Sequence, residues 1–136
     1  MKKYSIALRI CGETLNPENI TRDLMMEPDT HHKKGDVFTV RSKRGKKIGD
    51  VHYKNGMWGR NFEIQENDFI NSLKKIYDPL KVYKEKFQKY KERGYKIDLF
   101  CGIWYEKEDN KIDIDEYLID LFLDINIHIE LDEYWL

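Results

Sequence analysis

The stretch "YSIALRICGETLNPENITRDLM", residues 4–25, decides the fold class because a strand pattern gives way to a helix start within it. In its first seven residues, "YSIALRI", apolar side chains alternate with small or polar ones, which is typical of a half-buried β-strand. In "NPENITRDLM", Asn16 is suited to cap a helix, Pro17 to occupy the first helical position, and Glu18 to lie at the positive end of the helix dipole. The stretch therefore predicts a strand, a loop and a helix in succession.

The next segment predicts a β-hairpin and a third strand. Residues 27–36 have the composition of a loop, and Val37–Arg41 and Ile48–Tyr53 that of two short strands around the turn sequence "SKRGKK". A second turn signal, "NG" at 55–56, leads into a strand that runs through Trp58 and Phe62.

The pattern then changes to that of a helix. Apolar residues recur at spacings of three and four from Phe69 to Tyr90, which predicts one apolar stripe. Asp78 and Pro79 interrupt it. Either Pro79 kinks one long helix or, the interpretation we prefer, Asp78 caps a second helix that begins at Pro79. Gly94 is suited to end the segment.

The last third repeats the order of the first. The strand "YKIDLFCGIWY" is followed by a helix, "DEYLIDLFLD", which Asp115 is expected to cap, and by the alternating strand "INIHIELDEYW". In that strand we expect Ile127, Ile129 and Leu131 to point inward and His128 toward solvent. These two strand–loop–helix units, one in the first third and one in the last, predict an α+β fold with a mixed or antiparallel sheet and helices on one face. Their repetition predicts a duplicated split β-α-β (ferredoxin-like) plan. A chain of 136 residues is expected to form one domain, residues 1–136.

Composition limits the class of protein. A charged fraction of 36% beside 13% aromatic residues is typical of a folded chain, and no apolar run approaches the roughly 20 residues that span a bilayer. Arg9 and Glu13 interrupt what would be a signal-peptide core, so we expect a cytoplasmic protein. Cys11 and Cys101 are then expected to be reduced, apolar fillers.

Charge is distributed unevenly along the chain. Residues 106–136 hold 11 Asp and Glu against 2 Lys, although the whole chain has a net charge of −1. Such a separation either guides the approach of a charged partner or reflects solvated faces that differ in sign.

The run "IALRICGETLNPENITRDLMMEPDTHHKKGD" resembles the opening of a bacterial family known as domain of unknown function 4279 (DUF4279). The features in common are Gly12, Pro17–Glu18, Pro28 and Lys34–Asp36, followed by Trp58, the strand "GYKIDLFCGIW" and the ending "LDEY". One departure is Asp29, which stands where a threonine would follow the proline. The resemblance implies a fold and a bacterial or phage origin, and it brings no established activity and no agreed catalytic residues.

The basic hairpin is the first candidate site. Residues 31–60 hold 9 Lys and Arg against 2 Asp, with aromatic residues interleaved. This combination is typical of protein sites that bind nucleotides or single-stranded nucleic acid. A small anion or nucleotide would lie beside Lys33, Lys34, Arg41, Trp58 and Arg60. Nucleic acid is disfavoured because no glycine-rich cradle precedes a helix here and the acidic end would repel a long polyanion.

Metal, cofactor and enzyme chemistry find little support in the sequence. The adjacent His31 and His32 point to opposite sides of an extended chain, and no Cys-x-x-Cys or His-x-x-x-His spacing is present. No pattern pairs a nucleophile with a base, and the carboxylates follow cap and helix-surface positions. We therefore predict no metal, no cofactor and no enzymatic activity.

The leading hypothesis is a small binding protein, best represented by an immunity or antitoxin-type protein that occludes a basic partner, such as a toxin. The contact residues would be Asp120, Asp124, Glu130, Asp132, Glu133 and Tyr134. Aromatic residues and complementary charge are typical of such interfaces. Tyr134, Trp135 and Leu136 would either contact the partner or pack into the core. The alternative is the small-anion or nucleotide module at the hairpin.

Overall fold

A computed structural model describes residues 3–64 and 68–136, and in these residues it contains seven strands and four helices. The elements are β1 (Lys3–Gly12), α1 (Pro17–Leu24), β2 (Thr30–His32), β3 (Val37–Arg41), β4 (Lys47–His52), β5 (Gly56–Phe62), α2 (Phe69–Lys81), α3 (Lys84–Glu92), β6 (Lys96–Tyr105), α4 (Glu116–Asp124) and β7 (His128–Trp135). The predicted α+β class is confirmed.

Five strands form one mixed sheet in the order β2-β5-β1-β6-β7, and β3 and β4 form a separate hairpin. All neighbours in the large sheet are antiparallel except β6 and β7, which are parallel. The prediction of a loop over residues 27–36 is wrong in part, because Thr30–His32 pair with β5 as an edge strand. A strand of three residues is too short to show an alternating pattern in the sequence.

The core lies between one face of the sheet and the helices. Alternation buries Ile6, Leu8 and Ile10 of β1 on the same face as Leu99 of β6 and Trp58 of β5. Buried side chains from all four described helices join this cluster. The expectation of helices on one face is therefore confirmed, and none of the described helices packs on the opposite face.

The helices of the two strand–loop–helix units are capped as predicted, but the strands of the two units have different neighbours in the sheet. The side chain of Asn16 accepts the amide of Glu18, and that of Asp115 accepts the amide of Tyr117. However, β1 lies beside β5 and antiparallel to it, whereas β6 and β7 are parallel neighbours around α4. A split β-α-β unit needs a strand between its two parallel strands. The structure instead has one unsplit unit, because α4 returns the chain directly to the edge beside β6.

The helical segment divides at a different residue from the one predicted. α2 begins after Asp68, whose side chain accepts the amides of Ile70 and Asn71, and it continues through Pro79 to Lys81. The prediction that Asp78 caps a second helix is therefore wrong, as is that of one long kinked helix, because α3 begins only at Lys84. Burial of the side chain at Leu80 keeps the last turn of α2 against the sheet despite the missing proline N–H.

Candidate functional site

The face of the large sheet away from the helices is the surface from which a site can be built. We call it the open sheet face. Directly paired residues of neighbouring strands share a face. Its side chains include those of Ala7, Arg9, Cys11, Met57, Asn61, Asp98, Phe100, Trp104, His128, Glu130, Asp132 and Tyr134. The same alternation that buries the core of β1 and β6 therefore presents a second, chemically different row of side chains.

Three of the predicted partner-binding residues meet on this face. Glu130, Asp132 and Tyr134 alternate along β7 and form what we call the β7 acidic strip. The hydroxyl of Tyr134 donates to the carboxylate of Asp132, and this bond raises the pKa of Tyr134. The carboxylate of Glu130 lies 3.2 Å from Nε2 of His128, which is exposed as predicted. The strip thus combines two carboxylates and an aromatic ring on one exposed strand.

Trp104 extends the strip onto β6. Its ring stacks on that of Tyr134, with centroids 5.4 Å apart and an angle of 18° between the planes. The ring also lies over Gly102, where a Cβ atom would come within 2.8 Å of the Trp104 ring. Gly102 therefore leaves the room that lets the indole lie flat beside the strip, next to Asp132 in the pairing of the strands.

The other three predicted partner-binding residues lie elsewhere. Asp120 and Asp124 are on α4, in the helix layer, and the carboxylate of Asp124 lies 3.2 Å from Nζ of Lys84. Glu133 points to the helix side of β7, where it accepts a hydrogen bond of 2.7 Å from the hydroxyl of Tyr105, and its side chain is 22% exposed. The six acidic-end candidates therefore do not form one surface, because helix periodicity and strand alternation place them on different sides.

The C-terminal apolar residues are exposed. Leu131, expected to point inward, is 38% exposed, while Ile127 is buried and Ile129 is half-buried. Trp135 is 55% exposed and stacks on Tyr105, and Leu136 is 78% exposed. Of the two alternatives for this end, packing into the core is therefore contradicted, because β7 is the last strand of the sheet and burial decreases along it.

The basic hairpin does not bring its predicted ligand-binding residues together as a platform. Trp58 is completely buried on the helix side, where its Nε1 donates to the hydroxyl of Thr21 at 3.0 Å. Three of the cations have local partners: Lys34 pairs with Glu13, Arg41 donates to the carbonyl of Gly45, and Arg60 donates to that of Glu27. The alternative site therefore loses the indole of Trp58 as a face on which a base would stack.

The histidines beside the hairpin have structural contacts. The ring of His32 stacks on Tyr53 with centroids 3.5 Å apart, and Tyr53 in turn contacts Phe38. Nδ1 of His52 lies 3.1 Å from the carbonyl oxygen of Gly35. Within residues 3–64 and 68–136, no group of three or more His, Cys, Asp or Glu side chains is placed to hold a metal ion.

A cleft of about 430 Å³ borders the strip at one end of the sheet. Its polar lining includes Lys91, Lys96, Asp98, Glu130 and His128. Asp98 is already engaged by Arg9, and Glu130 lies against His128. The cleft adds depth beside Glu130 in which the long side chain of a partner can lie.

The thiols have the properties of apolar fillers. Cys101 is fully buried in the core, and burial raises its pKa to about 12. Cys11 is half-buried on the open sheet face, and burial, with Asp98 as a further cause, raises its pKa as well. A raised pKa lowers the fraction of thiolate, which is the nucleophilic form.

Alkylation tests this assignment. In the native protein at pH 8, iodoacetamide is expected to leave Cys101 unmodified and to modify Cys11 more slowly than free cysteine, because both thiols are mostly protonated. Mass spectrometry with and without urea measures this, and unfolding should release both sites. Modification of Cys11 faster than that of free cysteine would identify an activated nucleophile and contradict the assignment.

Comparison with known proteins identifies the family of the chain. A family model described as "Domain of unknown function (DUF4279)" matches residues 2–136. The chain belongs to the DUF4279 family. Searches of curated proteins and of solved structures gave no match. In the described part of this DUF4279 protein, no helix is long and apolar enough to cross a membrane.

One polar arrangement on the open sheet face of this DUF4279 protein was not predicted. Arg9 makes two hydrogen bonds of 2.8 Å to the carboxylate of Asp98, and its guanidinium lies 4.2 Å from the centre of the Phe100 ring. The sequence did place Arg9 and Asp98 on the polar side of their strands. It contained no signal that strands 89 residues apart would be neighbours.

Proposed function

We propose that this DUF4279 protein is a non-enzymatic cytoplasmic binding protein of bacterial or phage origin that engages a basic protein partner through the β7 acidic strip and Trp104. The observation that carries the proposal is the side-by-side placement of Glu130, Asp132 and Tyr134 on a sheet face without helices among the described residues. An immunity or antitoxin-type protein that occludes a basic toxin is the role that this surface suits best.

The composition of the strip supports a protein partner. Tyr and Trp are enriched among residues that dominate binding energy, and Tyr134 and Trp104 are already stacked on each other, so little side-chain freedom is lost on binding. Two carboxylates beside them complement Lys or Arg side chains and speed the encounter of oppositely charged surfaces. The cleft beside Glu130 offers room for one long side chain of a partner.

The chemistry of the other candidate groups supports a role in binding over one in catalysis. The pKa values of both thiols are raised, which disfavours nucleophilic attack. Asp115 and Asp68 serve as helix caps, and Glu133 accepts the hydroxyl of Tyr105. These carboxylates already have structural roles.

Purification from native cells at low salt tests the proposal. We expect a basic protein to co-purify in stoichiometric amount and to be released at high salt, because the contact is largely electrostatic. Mass spectrometry identifies what is bound. The variant E130K/D132K should lose the partner, and the matched control D113K/D120K, changed at exposed residues outside the strip, should retain it. A bound nucleotide or other small anion, without a protein partner, would contradict the proposal and favour the ligand-binding alternative.

A further inference from the structure

The outer edge of β7 is available for pairing. β7 pairs with β6 on one side and, in the part of the chain that the structure describes, with no strand on the other. The amide of Leu136 donates to the carbonyl of Tyr105, so the backbone groups of the even-numbered residues point toward β6. Because backbone direction alternates along a strand, the N–H and C=O groups of Ile129, Leu131, Glu133 and Trp135 point outward.

The charged side chains along this edge are carboxylates, which repel an acidic strand but not a basic one. Natural edge strands are shielded by charged side chains, Pro, bulges or short length. β7 has eight residues, contains neither Lys nor Pro, and pairs with β6 in an unbroken register. The opposite edge of the sheet, β2, has three residues and is followed by Lys33 and Lys34. The two edges therefore differ, and only the β7 edge has the length to accept a strand of several residues.

We propose that the basic partner adds an extended, lysine- or arginine-bearing segment as a sixth strand to the outer edge of β7. This inference rests on the proposed function and specifies how the partner binds. Backbone hydrogen bonds to the outward groups of β7 would supply affinity, and alternate basic side chains would lie opposite Glu130 and Asp132 on the open sheet face. The exposed side chains of Leu131 and Trp135 would meet the apolar side chains of the same segment on the other face.

A second copy of this chain fits the edge poorly. In antiparallel pairing centred on Leu131, Glu130 of each copy would lie opposite Asp132 of the other copy. Centring on Asp132 or Glu130 would place two identical carboxylates opposite each other. Like charges directly opposite each other destabilise a strand pair, so charge disfavours these three registers of self-association and favours a basic strand.

Synthetic peptides provide a defined probe. Acetyl-(Lys-Val)4-amide has the charge and alternation that the edge requires. Acetyl-(Lys-Pro)4-amide keeps the charge but cannot donate from its prolines, and acetyl-(Glu-Val)4-amide reverses the charge. We expect the full chain to bind the Lys-Val peptide at low salt, and to bind each of the other two at least ~10-fold more weakly, since about 1.4 kcal/mol corresponds to that ratio.

Two further measurements locate the contact. Hydrogen exchange followed by NMR should slow at the outward amides of Leu131 and Glu133 when the Lys-Val peptide is bound. Leu131→Pro removes an outward N–H that does not bond to β6, and it should weaken binding of the Lys-Val peptide by at least ~10-fold. Leu131→Val keeps the N–H and is the matched control, expected within about twofold of the parent. Exchange in the parent protein remains informative if the proline variant folds poorly.

The outcomes separate this inference from the proposed function. If the Lys-Val peptide depends on Glu130 and Asp132 but leaves the outward amides unprotected, the partner binds by side chains on the open sheet face. Strand addition is then overturned, and the proposed function stands. If the Lys-Val peptide binds no more tightly than the Glu-Val peptide, both are overturned.

Discussion

The double variant E130K/D132K is expected to bind the basic partner, or the Lys-Val peptide, at least ~100-fold more weakly than the parent chain, because like charges brought together at an interface cost several kcal/mol. Both side chains lie on the open face of β7, so their reversal converts the centre of the strip from acidic to basic. Isothermal titration calorimetry at low and moderate salt measures the loss, and salt should weaken the parent more than the variant.

The control for this prediction changes net charge without changing the strip. D113K/D120K shifts the net charge by the same amount, but Asp113 precedes α4 and Asp120 lies within it, both outside the strip. We expect it to lower affinity by less than about fivefold, since distant exposed charges are screened. Reversal of Lys43 and Arg44 at the hairpin tip should also have little effect. Equal losses from both double variants would show that only net charge matters and would contradict a localised site.

Trp58→Ala is expected to lower the free energy of unfolding by about 3–5 kcal/mol, the range typical of large aromatic residues removed from a core. The side chain is completely buried on β5, and its Nε1 donates to the hydroxyl of Thr21 on α1. Removal therefore leaves a cavity between sheet and helix and an unpaired hydroxyl. Urea denaturation followed by circular dichroism, with linear extrapolation, measures the change.

Trp135→Ala is the matched comparison. This residue is 55% exposed and has one stacking contact, with Tyr105. We expect it to cost less than about 1.5 kcal/mol, the upper range for an aromatic pair. The same tryptophan-to-alanine change thus separates a core position from an edge position. If Trp58→Ala cost no more than Trp135→Ala, Trp58 would not be the core residue described, and a ligand-binding role for its ring would again be open.

The sequence predicted well those elements that depend on interactions between residues close together in the chain. Asn16 and Asp115 start helices because a side-chain oxygen satisfies a free amide at the first turn, an interaction confined to three residues. The alternation in "YSIALRI" predicted β1 and its buried face. Prediction failed at Asp78, where a capping signal was overridden because burial of Leu80 extends α2 through Pro79.

The candidate site was predicted less completely, because charge composition does not say on which side a residue lies. The acidic residues are clustered in the sequence, yet Glu133 and Asp132 are adjacent and point to opposite faces. The interpretation of Trp58 as a stacking platform failed for the same reason, since its position in β5 places it on the helix side.

The sequence by itself determined the α+β class, the longer strands, the caps of α1 and α4, and the alternation that gives a strand a buried and an exposed face. Tertiary structure alone decided which strands are neighbours, and hence that Arg9 meets Asp98, that Trp104 stacks on Tyr134, and that β7 is an edge. The physical reason is the distance along the chain over which each interaction acts. Caps and alternation depend on residues a few positions apart, whereas the order of strands depends on how the whole chain buries its apolar faces together.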